Sequence, residues 1–217
     1  MDKLKLGVLI SGRGSNLQAL IDACAAADYP AEIVLVVSNR PDAMGLERAQ
    51  AAGIATRIIE HTNYGDRESF DRDVDAALRD AGAQLICLAG FMRLLSRWFV
   101  EEWPDRIVNI HPSLLPAFKG TDSHAQALAT GVKLTGCTVH FVRSEMDAGP
   151  IIMQAAVPVL PGDTEDSLAA RVLTAEHQCY PTAIRLIAEG RVTVEDNRAI
   201  NTDGNMAARP LYNPPAD

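Results

Sequence analysis

Five short apolar runs, each followed by a stretch of helical spacing, restrict the first half of this chain to one kind of architecture. The runs are residues 4–10, 33–37, 55–59, 85–88 and 107–110. Between them, Leu17, Leu20, Ile21 and Cys24 fall at i, i+3, i+4 and i+7, one face of a helix. Residues 41–52 read as a second helix ended by Gly53, residues 68–81 as a third, and residues 96–102 as a short fourth. Continuous apolar strands alternating with helices predict a mostly parallel α/β sheet of Rossmann-like form, with helices on both faces. Beyond Gly120 the pattern changes. A helix over 122–130 precedes "LTGCTVHFV", which alternates with Cys137, Val139 and Phe141 on one face. "SEMDAGP" turns the chain, and residues 151–160 return as an antiparallel hairpin on the sheet's edge. Asp163 or Thr164 caps a long helix reaching about Glu189, kinked at Pro181, with a short strand at 192–195.

A sheet of this kind binds ligands outside the carboxyl ends of its strands. Three loops lie there: "SGRGSN", "AGFMRLL" and "NIHPSLLP". In the first, Gly12 and Gly14 open a helix directly after a strand, which suits an anion at the helix's free N–H groups. Leu17 replaces the third glycine of a dinucleotide fingerprint, the second strand ends in Ser38-Asn39 without an acid, and no G-K-[ST] is present. The loop therefore suits a phosphate monoester or a plain strand–helix turn. Asn109 and His111, two apart on a strand, point the same way. Pro112 biases His111 to an extended conformation, and the prolines that follow stiffen the loop. An amide and an imidazole so placed can stabilise an oxyanion and move protons, or serve as a cap and a structural histidine. Asp147, before a Gly-Pro turn, is either the carboxylate that orients His111 or a solvated turn residue. Glu176-His177 reads from its surroundings as an exposed or capped helical pair. Phe91, Met92, Leu94 and Leu95 around Arg93 are either the lining for a flat ligand or core at a helix start.

The net charge of −8, without a cluster of Lys and Arg, argues against a nucleic-acid partner. No run approaches the ~20 apolar residues of a membrane span, and the first apolar run is too short for a signal-peptide core. The four cysteines, Cys24, Cys87, Cys137 and Cys179, are scattered among apolar neighbours, as expected of reduced, buried thiols in a cytoplasmic protein. Histidines and acids show no metal-ligand spacing.

Taken together, "SGRGSNLQALIDA", "AGFMRLLS", "NIHPSLLPAFKG", "TVHFV…DAGPII" and "GDTEDSLAARV…EH" resemble the folate-dependent glycinamide ribonucleotide formyltransferases over residues 4 to 195. The resemblance implies one formyltransferase domain over 1–200. Its phosphate-binding half covers about 1–105 and its folate and catalytic half about 106–200, with a loosely ordered tail at 201–217. It implies transfer of a formyl group from 10-formyltetrahydrofolate to the amine of glycinamide ribonucleotide in purine biosynthesis, with no metal. Asn109, His111 and Asp147 look like the catalytic trio. Gly14, Ser15, Asn16 and Glu176 match the ribonucleotide side. Arg67, Met92, Arg93, Leu94, Leu95, Arg143, Ser144, Glu145 and Met146 match the folate side. The partners implied are these small molecules, in a monomer or homodimer. Arg13, Lys119 and Asp122 depart from the family's pattern beside the substrate loop. A formyltetrahydrofolate deformylase, with water as acceptor, and a non-catalytic nucleotide-binding module are the alternatives.

Overall fold

A computed structural model describes residues 2–202 and 210–214. Strands β1 (Leu4–Ile10), β2 (Ala31–Ser38), β3 (Thr56–Ile58), β4 (Leu85–Leu88), β5 (Ile107–His111), β6 (Leu134–Phe141) and β7 (Ile151–Pro158) form one sheet in the order β3-β2-β1-β4-β5-β6-β7. The first five are mutually parallel, and β6 and β7 join antiparallel. The strand order reverses at β1 and β4, which opens a crevice at their carboxyl ends. The helices are α1 (Ser15–Cys24), α2 (Gly45–Ala51), α3 (Arg67–Asp80), α4 (Arg97–Glu102), α5 (Ser123–Thr130) and α6 (Glu165–Ala188).

Strand alternation sorts the core into two layers. Leu6, Val8, Ile10, Val36, Cys87, Val108 and Ile110 pack with α1 and α6. Leu9, Leu35, Val37, Ile86, Leu88 and Ile107 pack against α3, α4 and Trp103 on the other side. Asn109 and His111 share Ile107's parity, so they continue its row to the end of β5, with Asn109 half-buried and His111 buried. Helix α6 carries Leu168, Val172, Cys179, Tyr180, Ala183 and Ile184 to the core. The buried Tyr180 hydroxyl sits 3.1 Å from the Leu88 carbonyl and 3.0 Å from the Val108 carbonyl, pinning α6 beneath the ends of β4 and β5.

Several elements differ from the sequence expectation. Helix α2 begins at Gly45 rather than Pro41, because Ser38 Oγ and an Arg40–Asp42 ion pair hold a turn first. Helix α6 spans Pro181, as its expected reach to about Glu189 requires, with the Tyr29 hydroxyl donating to the Pro181 carbonyl at 2.7 Å. Strand β8 (Val192–Glu195) pairs with β9 (Arg198–Asn201), which was not anticipated. Asp196 and Asn197, both at positive φ, form a two-residue turn whose residue types favour that conformation, so "EDNR" held the signal. Cys24 is only half-buried, since the rim of α1 faces outward there; the other three cysteines are buried, and all four are free. Within the stretch expected as a loosely ordered tail, Thr202 N–H donates to Arg191 O at 3.0 Å, and Asn213 Nδ2 donates to Lys133 O at 2.5 Å. Residues 203–209 and 215–217 lie outside the described residues. No helix among the described residues is long and apolar enough to cross a membrane.

Candidate active site

The loop after β1 approaches the middle of α6. Gly14 adopts φ +70°, which starts α1 at Ser15 and leaves the amides of its first turn without intrahelical acceptors. Asn16 is buried, and its Nδ2 donates to Glu176 Oε2 at 2.7 Å. Asn16 Oδ1 is buried without a partner, an acceptor directed at nothing in the protein. Glu176 is itself buried, contrary to the exposed pair expected from its neighbours. It occupies the stripe Leu168–Val172–Glu176–Tyr180, spaced four apart, and that periodicity was the signal for its burial. Desolvation pushes its carboxyl above the ordinary value, opposed by the Asn16 amide and then by the nearby His111. The anion loop, Glu176 and His111 are thus within electrostatic reach of one another.

Asn109 and His111 converge as their spacing predicts, within a network larger than the trio. Asn109 lies directly opposite His140 on β6, with its Nδ2 3.3 Å from His140 Nε2. His140 Nδ1 is bonded to the Phe141 carbonyl at 3.0 Å, leaving Nε2 as the acceptor for Asn109. Burial lowers the pKa of His140, which keeps that tautomer neutral, although Asp147 opposes the shift. Asp147 Oδ2 stands 3.5 Å from His111 Nδ1, and its Oδ1 stands 3.9 Å from His140 Nε2. Far from being a solvated turn residue, Asp147 is largely enclosed, sits at φ +51°, and accepts the Gly120 N–H at 2.8 Å. His111 Nε2 donates to the Phe118 carbonyl at 2.9 Å. With Nε2 directed to that carbonyl, the Nδ1 side of the ring faces the Asp147 carboxylate. Both groups therefore meet where the sequence indicated, with their donors turned to internal partners.

The loop following His111 is held chiefly by side chains that its own sequence does not contain. Thr138, opposite His111 on β6, donates to Ser113 O at 2.7 Å and accepts from Leu115 N at 3.0 Å. Gln154, opposite Thr138 on β7, donates to Leu115 O at 3.0 Å and to Thr138 Oγ1 at 2.9 Å. The prolines add to this anchoring and do not replace it. His140, Thr138 and Gln154 were absent from the candidate residues; the alternation of β6 against β5 was the signal that could have found the first two.

Among the candidate folate-side residues, Met92, Leu94 and Met146 are apolar side chains 72, 55 and 48% exposed. Leu95 packs into the core, and Arg93 lies over the Phe70 ring at 5.6 Å, with its Nε buried and unpartnered. Arg67 opens α3 and is exposed. Ser144 and Glu145 are exposed, with Glu145 3.5 Å from Lys119. The Arg143 guanidinium is turned away to Asp105 Oδ1 at 2.5 Å, Asn197 Oδ1 at 3.0 Å and the Val142 carbonyl at 3.2 Å. Ser11 joins the carboxyl ends of three strands: its Oγ accepts from Met92 N, after β4, at 2.8 Å and donates to Asn39 Oδ1, after β2, at 2.6 Å. Sequence reasoning missed this buried bridge.

The formyl transferase family model matches residues 4–184. The trifunctional purine biosynthetic protein adenosine-3 of Gallus gallus is 54% identical over 89% of this chain, which spans only 19% of that protein's length. Phosphoribosylglycinamide formyltransferase of Escherichia coli (strain K12) is 47% identical over 90% of this chain and 92% of its own. The crystal structure of glycinamide ribonucleotide transformylase 1 from Symbiobacterium toebii superposes with a TM-score of 0.90 at 50% identity, covering 92% of this chain and 94% of that one.

Proposed function

Because this chain belongs to the formyl transferase family, and within it to the phosphoribosylglycinamide formyltransferases, we propose that it carries the formyl group of 10-formyltetrahydrofolate to the primary amine of glycinamide ribonucleotide, a step of purine biosynthesis. One observation carries this reading for the chain's own residues. The Asn16–Glu176 hydrogen bond ties the start of α1 to a carboxylate within electrostatic reach of His111, which supports a single site made of that helix start and of Asn109, His111 and Asp147. A phosphorylated amine held by the first group meets a carbonyl-activating pair in the second.

In the reaction, the substrate nitrogen forms a bond to the formyl carbon, and the carbonyl electron pair moves onto oxygen. Asn109 Nδ2–H donates to that oxygen, its amide oriented by neutral His140. The His111 N–H now on Phe118 O changes partner to share the developing charge. His111 then relays the proton lost by the attacking nitrogen to the departing folate nitrogen as the old carbon–nitrogen bond breaks. Asp147 keeps the ring in register and balances its charge. Ser15 and the first-turn amides of α1 hold the phosphate, while Glu176 and the free Asn16 Oδ1 accept from donors on the ribonucleotide. The folate lies along Met92, Leu94 and Met146, with Arg67 and Arg93 near its acidic end. No metal enters this scheme. The site acts on small molecules in the cytoplasm, in a monomer or homodimer.

Release of tetrahydrofolate, followed by absorbance with and without glycinamide ribonucleotide, tests the proposal. Turnover that requires the ribonucleotide and is lost in His111→Ala supports it. Equal turnover without the ribonucleotide makes water the acceptor, and the deformylase reading replaces it. A chain that binds ribonucleotide without turnover is a binding module instead.

A further inference from the structure

Resting on the proposed function, we infer that Arg48 on α2 is a positioning residue for the ribonucleotide's phosphate, acting through the loop that binds it and not by contact. The amides that receive an anion after β1 belong to a loop whose carbonyls must point elsewhere, or their partial negative charge would oppose the ligand. Each of the three carbonyls ahead of α1 is drawn off. Gly12 O accepts the Gly45 N–H at 3.0 Å. Arg13 O accepts Arg48 Nε at 2.9 Å. Gly14 O accepts the Gln18 N–H at 2.9 Å, within α1 itself. Two of the three donors come from α2, a helix that contributes nothing to the reacting groups.

Helix α2 also fixes the loop's position. A Cβ on Gly14 would lie 2.6 Å from the Gly45 Cα, so the two backbones touch, and Gly14 needs its φ of +70° besides. Arg48 completes the brace: its Nη1 donates to Gln18 Oε1 at 3.2 Å, and Gln18 Nε2 donates to Asp22 Oδ1 at 2.8 Å. One guanidinium therefore holds the loop carbonyl and the second turn of α1 together. A fork of fixed geometry can do this, whereas an ammonium group presents a single point of contact. The half-buried side chain stands between two hollows. One is lined by Gln18, Met44 and Glu47, and the other by Ser15, Asp22 and His177. With Nε and Nη1 committed, its function is to aim the amides of residues 14–16 outward.

The test compares wild-type protein with Arg48→Gln and Arg48→Lys, with thermal melting as a check of folding. In Arg48→Gln, KM for glycinamide ribonucleotide rises about tenfold, the worth of a charge-assisted hydrogen bond, while kcat and the folate KM stay within about twofold. Arg48→Lys retains the charge and loses the fork, so its KM falls between the two. An unchanged KM in Arg48→Gln, a loss confined to kcat, or an Arg48→Lys variant indistinguishable from wild type overturns the inference. A second measurement separates it from the functional reading. Inorganic phosphate is titrated into each protein while the amide NMR signals of Gly14, Ser15 and Asn16 are followed. Even if the wild type shows no formyl transfer, phosphate shifting these amides in wild type and about tenfold more weakly in Arg48→Gln supports the positioning role. Equal titrations, or amides unmoved in wild type, overturn it.

Discussion

The two sides of the cleft are built by opposite means. On the proposed ribonucleotide side, a strand runs straight into a helix, and the neighbouring α2 takes up two of the loop's carbonyls, one through the Gly45 N–H and one through the Arg48 guanidinium. On the catalytic side, residues 112–122 and 143–149 lack regular structure, and three non-glycine residues there, Phe118, Asp122 and Asp147, adopt positive φ. Such conformations are costly for residues with a Cβ and persist only where surroundings over-determine them. Here the surroundings are side chains: Thr138 and Gln154 under the first loop, and the Gly120 N–H on Asp147 between the two. The proposed ribonucleotide side is thus shaped by a strand–helix junction packed against α2. The catalytic side is a set of groups whose positions depend on individual hydrogen bonds.

If the catalytic side acts on the transition state, the largest effect comes from Asn109→Ala. Loss of one oxyanion donor reduces kcat by about 10²–10³, and the ribonucleotide KM moves little because the α1 side is untouched. Steady-state kinetics with each substrate varied read this directly. A variant that raised KM and kept kcat would assign Asn109 to ground-state binding and erase the division between the sides.

Next in size is Thr138→Val, which removes a hydroxyl serving Ser113 O, Leu115 N and Gln154 while nearly preserving shape. Groups of the 113–115 loop lose a buried partner, costing about 1–3 kcal/mol in denaturant unfolding. Activity falls with the loop's registry, again in kcat more than in the ribonucleotide KM. Loss of stability with full activity would show that the loop holds His111 without this anchor.

Acidification separates the sides by charge. His140 is buried with its pKa lowered from the ordinary 6.5, so between its folded and ordinary values the unfolded chain binds a proton that the folded chain does not. Stability from this group is therefore full above pH 6.5 and declines as pH falls below it. His140→Gln flattens that part of a melting-temperature profile between neutral and mildly acidic pH. Glu176 has the opposite sign: its raised pKa makes the folded chain the better proton binder, so its share of stability is lost as pH rises through the folded value. A profile unchanged by His140→Gln would mean that the ring is solvated.

Much of the ribonucleotide side was legible from residues in a row. "SGRGSN" after an apolar run announces a strand, a tight turn and a helix start, and the structure forms each of them. Asn109 and His111 were legible as a pair because strand periodicity is local. What escaped was what crosses strands. His140 faces Asn109 through an antiparallel register 31 residues away, and Ser11 reaches Met92 and Asn39 across the switch point. Glu176 was visible only to one who trusted the four-residue period of α6 over the polarity of its neighbours. A side chain's surroundings at a strand end are set by which strands lie beside it, and sequence periodicity does not carry that information. The same gap affects Arg143: the family resemblance implies a folate contact, while its partners in the structure lie on the approach to β5 and at the tip of the β8–β9 hairpin.

Arg143 gives the smallest expected effect and the finest test of how the catalytic side is held. It lies four residues before Asp147, and its guanidinium ties the start of that loop to Asp105 and Asn197. The pair with Asp105 is partly exposed, so Arg143→Ala should cost no more than about 1 kcal/mol of global stability. As an anchor it keeps residues 144–147 in register, and its removal raises the folate KM by up to about fivefold, the equivalent of that energy. Asp105→Asn discriminates anchor from ligand, because Asp105 takes part only through Arg143. If Arg143 anchors, both variants raise the folate KM alike and the double variant adds nothing further. If Arg143→Ala raises it while Asp105→Asn leaves it unchanged, the guanidinium leaves its internal partners to meet the folate. The catalytic side would then be assembled by its ligand, in contrast to the strand–helix junction across the cleft.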